Sequence, residues 1–149
     1  MLYTIGEMAK QMHVAPSTLR YYDKEGLLPF MERSSGGIRV FKDSDLQSLS
    51  VIECLKKAGL SIKEIKIFMD WCAQGDATID QRLTLMEQRR EAVRQEIAKM
   101  QDTLNFLEYK CWYYETAKAA GTCAVHDTIQ AEDIPQQYRA ATKKVKAPE

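Results

Sequence analysis

Four cysteines are the most reactive side chains of this sequence, and they are Cys54, Cys72, Cys111 and Cys123. They lie far apart and form no C-x-x-C pair, so a zinc finger or a dithiol redox motif is not indicated. A reducing cytosol would keep them as thiols. Because cysteine thiolates react with electrophiles and bind soft metals, the four are candidate sensor residues.

Cys54 lies in the aliphatic run at residues 51–57, and two interpretations of it remain open. A lone cysteine on such a helix is most often an inert, small core residue. Lys56 and Lys57 follow it, and an ammonium group close to the sulfur would lower the pKa of the thiol and favour reaction with an electrophile.

Cys111 and Cys123 are candidate ligands for a soft metal, with His126 as a further donor. Eleven residues separate the two cysteines, and Cys111 falls on an apolar seam, so packing is the better interpretation and we expect neither a metal nor a cofactor. Nearby aromatic residues could line a pocket for an apolar effector or dock on a partner's domain. These residues are Phe106, Tyr109, Trp112 and Tyr113.

Cations and aromatic residues are mixed in the first 42 residues. Arginine can fork onto phosphate or guanine, and hydroxyl groups commonly contact the DNA backbone. The candidate DNA-binding residues are Ser17, Thr18, Arg20, Tyr21, Tyr22, Lys24, Arg33, Arg39, Phe41 and Lys42. For Tyr22 and Phe41, packing of a small core is an equally open interpretation.

The elements that must position these residues begin with two short helices. Thr4 and Glu7 have the spacing of a capping box for a helix that runs to Met12. A second helix begins at Pro16 and ends before Gly26, so a helix-turn-helix is predicted. Gly36-Gly37 then separates two short strands, which is the pattern of a hairpin wing.

Two more helices complete the N-terminal part. The sequence Asp43-Ser44-Asp45 offers a cap for a helix that runs to about Lys57. Ser61 and Glu64 form a second capping box. We place a domain boundary in the polar, glycine-containing break at residues 74–78.

Apolar residues then recur in alternating steps of four and three, which is a heptad seam that needs a partner helix. The seam consists of Ile79, Leu83, Met86, Arg90, Val93, Ile97, Met100, Leu104, Leu107, Cys111 and Tyr114. Because no Pro or Gly interrupts it before Gly121, we predict one long helix and a homodimer. Arg90 either fixes the register or is solvated.

The predicted fold is therefore mainly α. Residues 1–74 form a winged helix-turn-helix domain, residues 75–120 a coiled-coil dimerisation helix, and residues 121–149 a short effector or tail segment in which residues 143–149 are frayed. Basic and acidic residues both number 21, so any DNA site must be a local patch. Without a signal sequence or a long apolar run, we expect a cytoplasmic protein with no membrane partner.

The sequence resembles the MerR family of bacterial transcription regulators. The resemblance rests on Tyr3-Thr4-Ile5-Gly6-Glu7-Met8-Ala9, on Thr18-Leu19-Arg20-Tyr21-Tyr22-Asp23-Lys24-Glu25-Gly26-Leu27-Leu28-Pro29, and on Gly37-Ile38-Arg39-Val40-Phe41. It implies that the second helix enters the major groove, that the wing lies along the backbone, and that an antiparallel dimer reads a dyad in double-stranded promoter DNA. It also implies that an effector makes the dimer distort that DNA so that RNA polymerase can engage.

The placement of Cys54 is similar to that in the aldehyde-responsive AdhR and NmlR branch of the family, where it implies an alkylation target. Two other classes of protein fit the sequence less well. An enzyme is not indicated, because the chain has no nucleophile elbow, phosphate loop, zinc motif or paired-carboxylate framework. A coiled-coil adaptor that binds other proteins would leave the basic and aromatic wing unexplained.

Overall fold

The computed structural model describes residues 1–145, and the chain divides into two compact units, Met1–Ala92 and Val93–Glu149. One helix, α5 (Ile79–Ala120), contributes residues to both units. The mainly helical fold with an N-terminal helix-turn-helix and a following long helix confirms the prediction.

The first unit begins with strand β1 (Leu2–Thr4) and helix α1 (Ile5–Gln11). The predicted capping box at the start of α1 is present, because Thr4 Oγ1 accepts from the Glu7 backbone N–H and Glu7 accepts from the Thr4 backbone N–H. A tight turn leads to α2 (Pro16–Lys24), whose first residue is the predicted proline. Together α1 and α2 form the helix-turn-helix.

A three-stranded antiparallel sheet forms the wing and the base of this unit. Its strands are β1, β3 (Arg39–Lys42) and β2 (Glu32–Arg33), in that spatial order. The predicted hairpin joins β2 to β3, with Arg33 opposite Arg39. The sequence did not predict β1, because a three-residue strand is too short to show alternation and forms here only by pairing with a distant segment.

Helices α3 (Asp43–Lys57) and α4 (Ile62–Ala73) follow, and a 3₁₀ turn at Gly75–Thr78 joins α4 to α5. The predicted capping box of α4 is present between Ser61 and Glu64. At the start of α3 the N-cap residue is Lys42, whose backbone N–H donates to Asp45 Oδ2 at 2.8 Å. Asp45 is thus the residue of the predicted cap sequence that satisfies the helix end.

One hydrophobic core holds the helices and the sheet of the first unit together. It contains Met8, Ala9, Leu19, Tyr22, Leu27, Leu28, Phe41, Leu49, Ile52, Leu55, Leu60, Ile65 and Met69. Leu85 and Met86 of α5 are half-buried against it. Met86, which the heptad pattern assigns to the dimer seam, is therefore packed within its own chain.

In the second unit, the chain reverses at Gly121, whose positive φ of 76° ends α5. Two short helices follow, α6 (Val125–Thr128) and α7 (Arg139–Val145), with 3₁₀ turns at Ala131–Asp133 and Gln136–Tyr138. The expected frayed tail is corrected in part, because α7 extends to Val145; residues 146–149 of that tail lie outside the described residues. Among residues 1–145, no helix combines the length and the apolar character needed to cross a bilayer.

Candidate nucleic-acid interface and sensor residues

One face of α2 presents four of the ten predicted DNA-binding residues to solvent. Ser17, Arg20, Tyr21 and Lys24 follow the spacing i, i+3, i+4 and i+7, and all four are exposed. Thr18, beside them, is half-buried. Because the opposite face of α2 packs in the core, the exposed face is held rigidly and is available to a groove.

Two of the predicted DNA contacts are corrected, because Tyr22 and Phe41 are fully buried in the core. The Tyr22 hydroxyl donates to Glu53 Oε1 at 2.5 Å and accepts from Lys56 Nζ at 3.2 Å. Burial and the hydrogen bond to Glu53 raise the pKa of Tyr22 well above its usual range. The phenol therefore stays neutral and ties α2 to α3 instead of reaching for DNA.

The two predicted arginines of the wing converge on one carboxylate of α2. Asp23 Oδ2 accepts from Arg33 Nη2 at 2.8 Å and from Arg39 Nε at 2.7 Å, and Arg39 Nη2 lies 2.6 Å from the same oxygen. Asp23 was not among the predicted site residues, although it lies inside the motif that carries the family resemblance. It fixes the angle between the wing and α2.

Lys42, the last predicted cation of the wing, is paired with Glu32 on the neighbouring strand. This hydrogen bond raises the pKa of Lys42, so its ammonium charge is secured. Three of the predicted cations, Arg33, Arg39 and Lys42, are thus already oriented by acids in the free protein. Arg20 and Lys24 extend from α2 into solvent.

Cys54 is exposed on α3, so its interpretation as a core residue is wrong. The apolar neighbours Ile52 and Leu55 face the core, and the helical period turns Cys54 away from them. Glu53 and Lys56, which hold the Tyr22 hydroxyl, belong to the same turn of α3. The thiol is therefore accessible and lies in the turn of α3 whose Glu53 and Lys56 contact α2.

The structure does not bring Cys111, Cys123 and His126 together as a metal site. Within residues 1–145, no group of three or more His, Cys, Asp or Glu side chains is placed to hold a metal ion. Cys111 and Cys123 are both exposed. His126 Nε2 lies 2.8 Å from the Tyr113 carbonyl oxygen, and its ring stacks on the Tyr113 ring with centroids 3.6 Å apart.

Most of the heptad seam is exposed on α5 of the single chain. The exposed members are Ile79, Leu83, Arg90, Ile97, Met100, Leu104, Leu107, Cys111 and Tyr114, and Val93 is half-buried. Between Ile97 and Leu107 the stripe forms a groove of about 360 Å³. A row of large apolar side chains exposed to water is typical of an interaction surface.

The aromatic end of α5 meets the C-terminal segment. Tyr109 is buried beside Trp112 and Tyr113, and the Tyr138 ring lies 6.3 Å from the ring of Tyr109. Phe106, predicted with this group, lies apart from the cavity that the others line and borders a smaller one of about 90 Å³. Tyr138 was missed, since its position after the heptads carries no periodic signal.

Comparison with known proteins assigns the family. Residues 3–71 match the model of the MerR HTH family regulatory protein, and residues 46–108 match that of the MerR DNA-binding region. An HTH-type transcriptional regulator of Haemophilus influenzae is 43% identical over 136 residues, which cover 91% of this chain and 96% of that protein. The regulator AdhR of Bacillus subtilis is 33% identical over 87 residues, covering 58% of this chain and 62% of AdhR.

A solved structure is similar over most of the chain. It is that of HiNmlR, described as a MerR family regulator lacking the sensor domain and bound to promoter DNA. The two chains are 44% identical and superpose with a TM-score of 0.69, over 84% of this chain and 99% of HiNmlR.

Proposed function

The chain belongs to the MerR family of DNA-binding transcription regulators, and from this membership we propose that it binds a promoter dyad as a homodimer and responds to a reactive aldehyde or related electrophile through Cys54. The relatives reported above are transcription regulators, and this chain is not an enzyme. We also propose that RNA polymerase engages the regulated promoter once the dimer has distorted it.

The exposed face of α2 supports the mode of DNA binding. Arg20 and Lys24 carry full positive charges on the same face as Ser17 and Tyr21, so the helix can offer both base-reading and phosphate-binding groups to a major groove. HiNmlR is bound to promoter DNA. We propose the same mode for this chain, with the wing along the phosphate backbone.

The homodimer is supported by the exposed seam of α5. Burying an apolar surface stabilises an interface by about 25 cal/mol for each Å² removed from water, so a row of exposed leucine, isoleucine and methionine side chains favours association strongly. Two copies of α2 on opposite sides of a dyad would then read two half-sites.

The exposure of Cys54 carries the proposal for the effector. Its thiolate would add to the carbonyl carbon of an aldehyde, so that a C–S bond forms, the carbonyl π bond breaks, and the oxygen takes a proton from water to give a hemithioacetal. No oxidant or reductant is required. The adduct would lie on the turn of α3 whose Glu53 and Lys56 hold Tyr22 of α2.

A modest change at this contact is sufficient for a switch. Bending or untwisting a promoter costs on the order of a few kcal/mol, and a tenfold shift between two states of a complex requires about 1.4 kcal/mol. Moving α2 by altering its hydrogen bonds to α3 can supply an energy of that size.

The test is run-off transcription from the protein's own promoter, with and without formaldehyde. We expect the wild type and Cys72→Ser to respond to the aldehyde and Cys54→Ser to lose the response while it still binds the promoter fragment. An equal response in Cys54→Ser would remove the sensor role. Binding to the promoter no tighter than to scrambled DNA of the same length would contradict the regulator mechanism itself.

A further inference from the structure

A cavity of about 330 Å³ lies at the C-terminal end of α5, within the second unit. One wall is aromatic and comes from the helix, with Tyr109 and Trp112. The other wall is aliphatic and comes from the segment that folds back after Gly121, with Ile129 and Ile134. The cavity is thus bordered by two parts of the same chain, the end of the long helix and the segment that follows it, and is open to solvent on one side.

Specific contacts build both walls. The rings of Tyr109 and Trp112 have centroids 6.1 Å apart at 29°, close to parallel. The stack of His126 on Tyr113 and the bond of its Nε2 to the Tyr113 carbonyl fasten the start of the returning segment. Arg139 fastens its far side, because the guanidinium group donates to the carbonyl oxygens of Ile134 at 3.0 Å and Glu132 at 3.1 Å.

The chemistry of the lining favours an uncharged aromatic guest. No Asp, Glu, Lys or Arg lines the cavity among the described residues, and its polar groups are the tips of tyrosine, tryptophan, histidine and threonine. Lys110 Nζ already lies 4.9 Å from the centroid of the Tyr113 ring, so a second cation there would meet a like charge. A flat apolar molecule would pack against the half-buried Trp112 ring and the edge of Tyr109, and would bury its other face against the isoleucines.

The size of the cavity sets the size of the guest. A volume of about 330 Å³ is at the lower end of the range of cavities that hold small organic ligands. It suits a compound of one or two rings.

We propose that this cavity is a binding site for a small uncharged aromatic compound. The site goes beyond the proposed function, because it uses neither Cys54 nor the DNA-binding residues. A ligand there would bridge the end of the long helix and the C-terminal segment.

The experiment is isothermal titration of the full chain with 2-naphthol, a two-ring compound that is uncharged at neutral pH. Ile134→Trp fills the cavity, whereas Ile67→Trp makes the same substitution at an exposed position of α4. We expect the wild type and Ile67→Trp to bind with the same Kd, and Ile134→Trp to bind at least tenfold more weakly. Equal Kd values in all three proteins, or no binding by the wild type at millimolar concentration, would overturn the proposal.

A second measurement does not depend on how well Ile134→Trp folds. Trp71 and Trp112 are the two tryptophans of the chain, so Trp71→Phe leaves Trp112 as the single reporter in the cavity. A saturable shift of the Trp112 indole N–H signal in ¹H–¹⁵N NMR spectra on addition of 2-naphthol, at the Kd found by titration, is expected. Its absence would contradict the site, as would a cavity that a partner subunit fills in the dimer.

Cys54→Ser separates the two proposals. It should bind 2-naphthol as the wild type does, whether or not it loses the aldehyde response. If Cys54 does not sense the aldehyde, the proposal for the cavity is unaffected. If the cavity does not bind 2-naphthol, the proposal for Cys54 is likewise unaffected.

Discussion

Asp23 of α2 pairs with both Arg33 and Arg39 of the wing. Its side chain is only 16% exposed, and a single oxygen accepts hydrogen bonds from Arg33 and Arg39. Hydrogen bonds between charged groups that are partly shielded from water are stronger than those of exposed ion pairs. Asp23 therefore orients the side chains of Arg33 and Arg39 in the free protein.

We expect Asp23→Asn to lower the free energy of unfolding by about 1–2 kcal/mol, since the neutral amide lacks the charge that strengthens the hydrogen bonds from both guanidinium groups. Asp70→Asn is the matched control, because it removes an exposed i,i+4 pair with Lys66 that is worth about 0.5 kcal/mol or less. Urea denaturation of both variants gives the comparison. Equal losses would show that the convergence on Asp23 adds nothing beyond a surface ion pair.

At the scale of elements, the ends of the short helices are stabilised by side chains. The hydrogen bonds from the Thr4 backbone N–H and hydroxyl group to Glu7 lower the pKa of the Glu7 carboxyl, which stabilises its charged form at the start of α1. The Ser61 backbone does the same for Glu64 at α4. A helix as short as α1 depends on such caps.

The lowered pKa of Glu7 has a defined consequence for stability. Because the folded value is below the unfolded value near 4.5, this contribution is present above that pH and is lost as the pH falls through the folded pKa. Glu7→Gln keeps an acceptor for the capping box but cannot titrate. We expect its Tm to fall less steeply than that of the wild type between about pH 5 and pH 3.

Glu108→Gln, at an exposed position of α5, controls for the change in net charge. Thermal denaturation followed by circular dichroism measures all three proteins. A Glu7→Gln profile parallel to the wild type over the whole acid range would contradict the assigned role of the Thr4–Glu7 pair.

The junction between α3 and α4 constrains the residue type at Gly59. Gly59 has a φ of 89°, and a Cβ atom built there would lie 2.3 Å from Nη2 of Arg89. The guanidinium group of Arg89 donates to the Ala58 carbonyl oxygen at the end of α3. The left-handed backbone favours glycine at this position, and any added Cβ atom would also displace the end of the Arg89 side chain.

Gly59→Ala should therefore destabilise the protein by more than about 1 kcal/mol. Gly6→Ala, the same substitution inside α1 with no atom within 4 Å of the new methyl group, should be neutral or stabilise by up to about 1 kcal/mol. Chemical denaturation distinguishes the two. Similar changes of stability in both variants would mean that Arg89 moves aside without cost.

At the scale of the whole molecule, the exposed seam of α5 is the surface on which the proposed dimer depends. Leu104 is 47% exposed in the single chain and lies in the middle of the apolar groove. Burying a carboxylate in a helix-to-helix seam is strongly unfavourable. A charge at this position acts on assembly far more than on the fold of one chain.

We expect Leu104→Glu to shift the protein to monomer in analytical ultracentrifugation and to weaken binding to a dyad fragment at least tenfold. Ala98→Glu adds the same charge at an exposed position outside the seam and should stay dimeric. A Leu104→Glu protein that sediments as the wild type does would place the dimer contact elsewhere.

Periodic and local signals allowed much of this fold to be predicted from sequence. The capping boxes at Thr4 and Ser61, the glycine turn of the wing and the unbroken heptads fix helices and a hairpin, because each depends on residues within a few positions of one another. The DNA-binding class and the choice of Arg20 and Lys24 as candidate DNA contacts followed from the same local patterns and from the family resemblance.

Tertiary packing decided the rest. The sequence left open whether Tyr22 contacts DNA or packs in the core, and only the core and its partners on α3 show that it is buried. The same holds for the exposure of Cys54, the convergence of two arginines on Asp23 and the return of Tyr138 to the aromatic end of α5. The sequence determined elements whose hydrogen bonds and periodicity are local, whereas contacts between residues distant along the chain depend on which surfaces pack together.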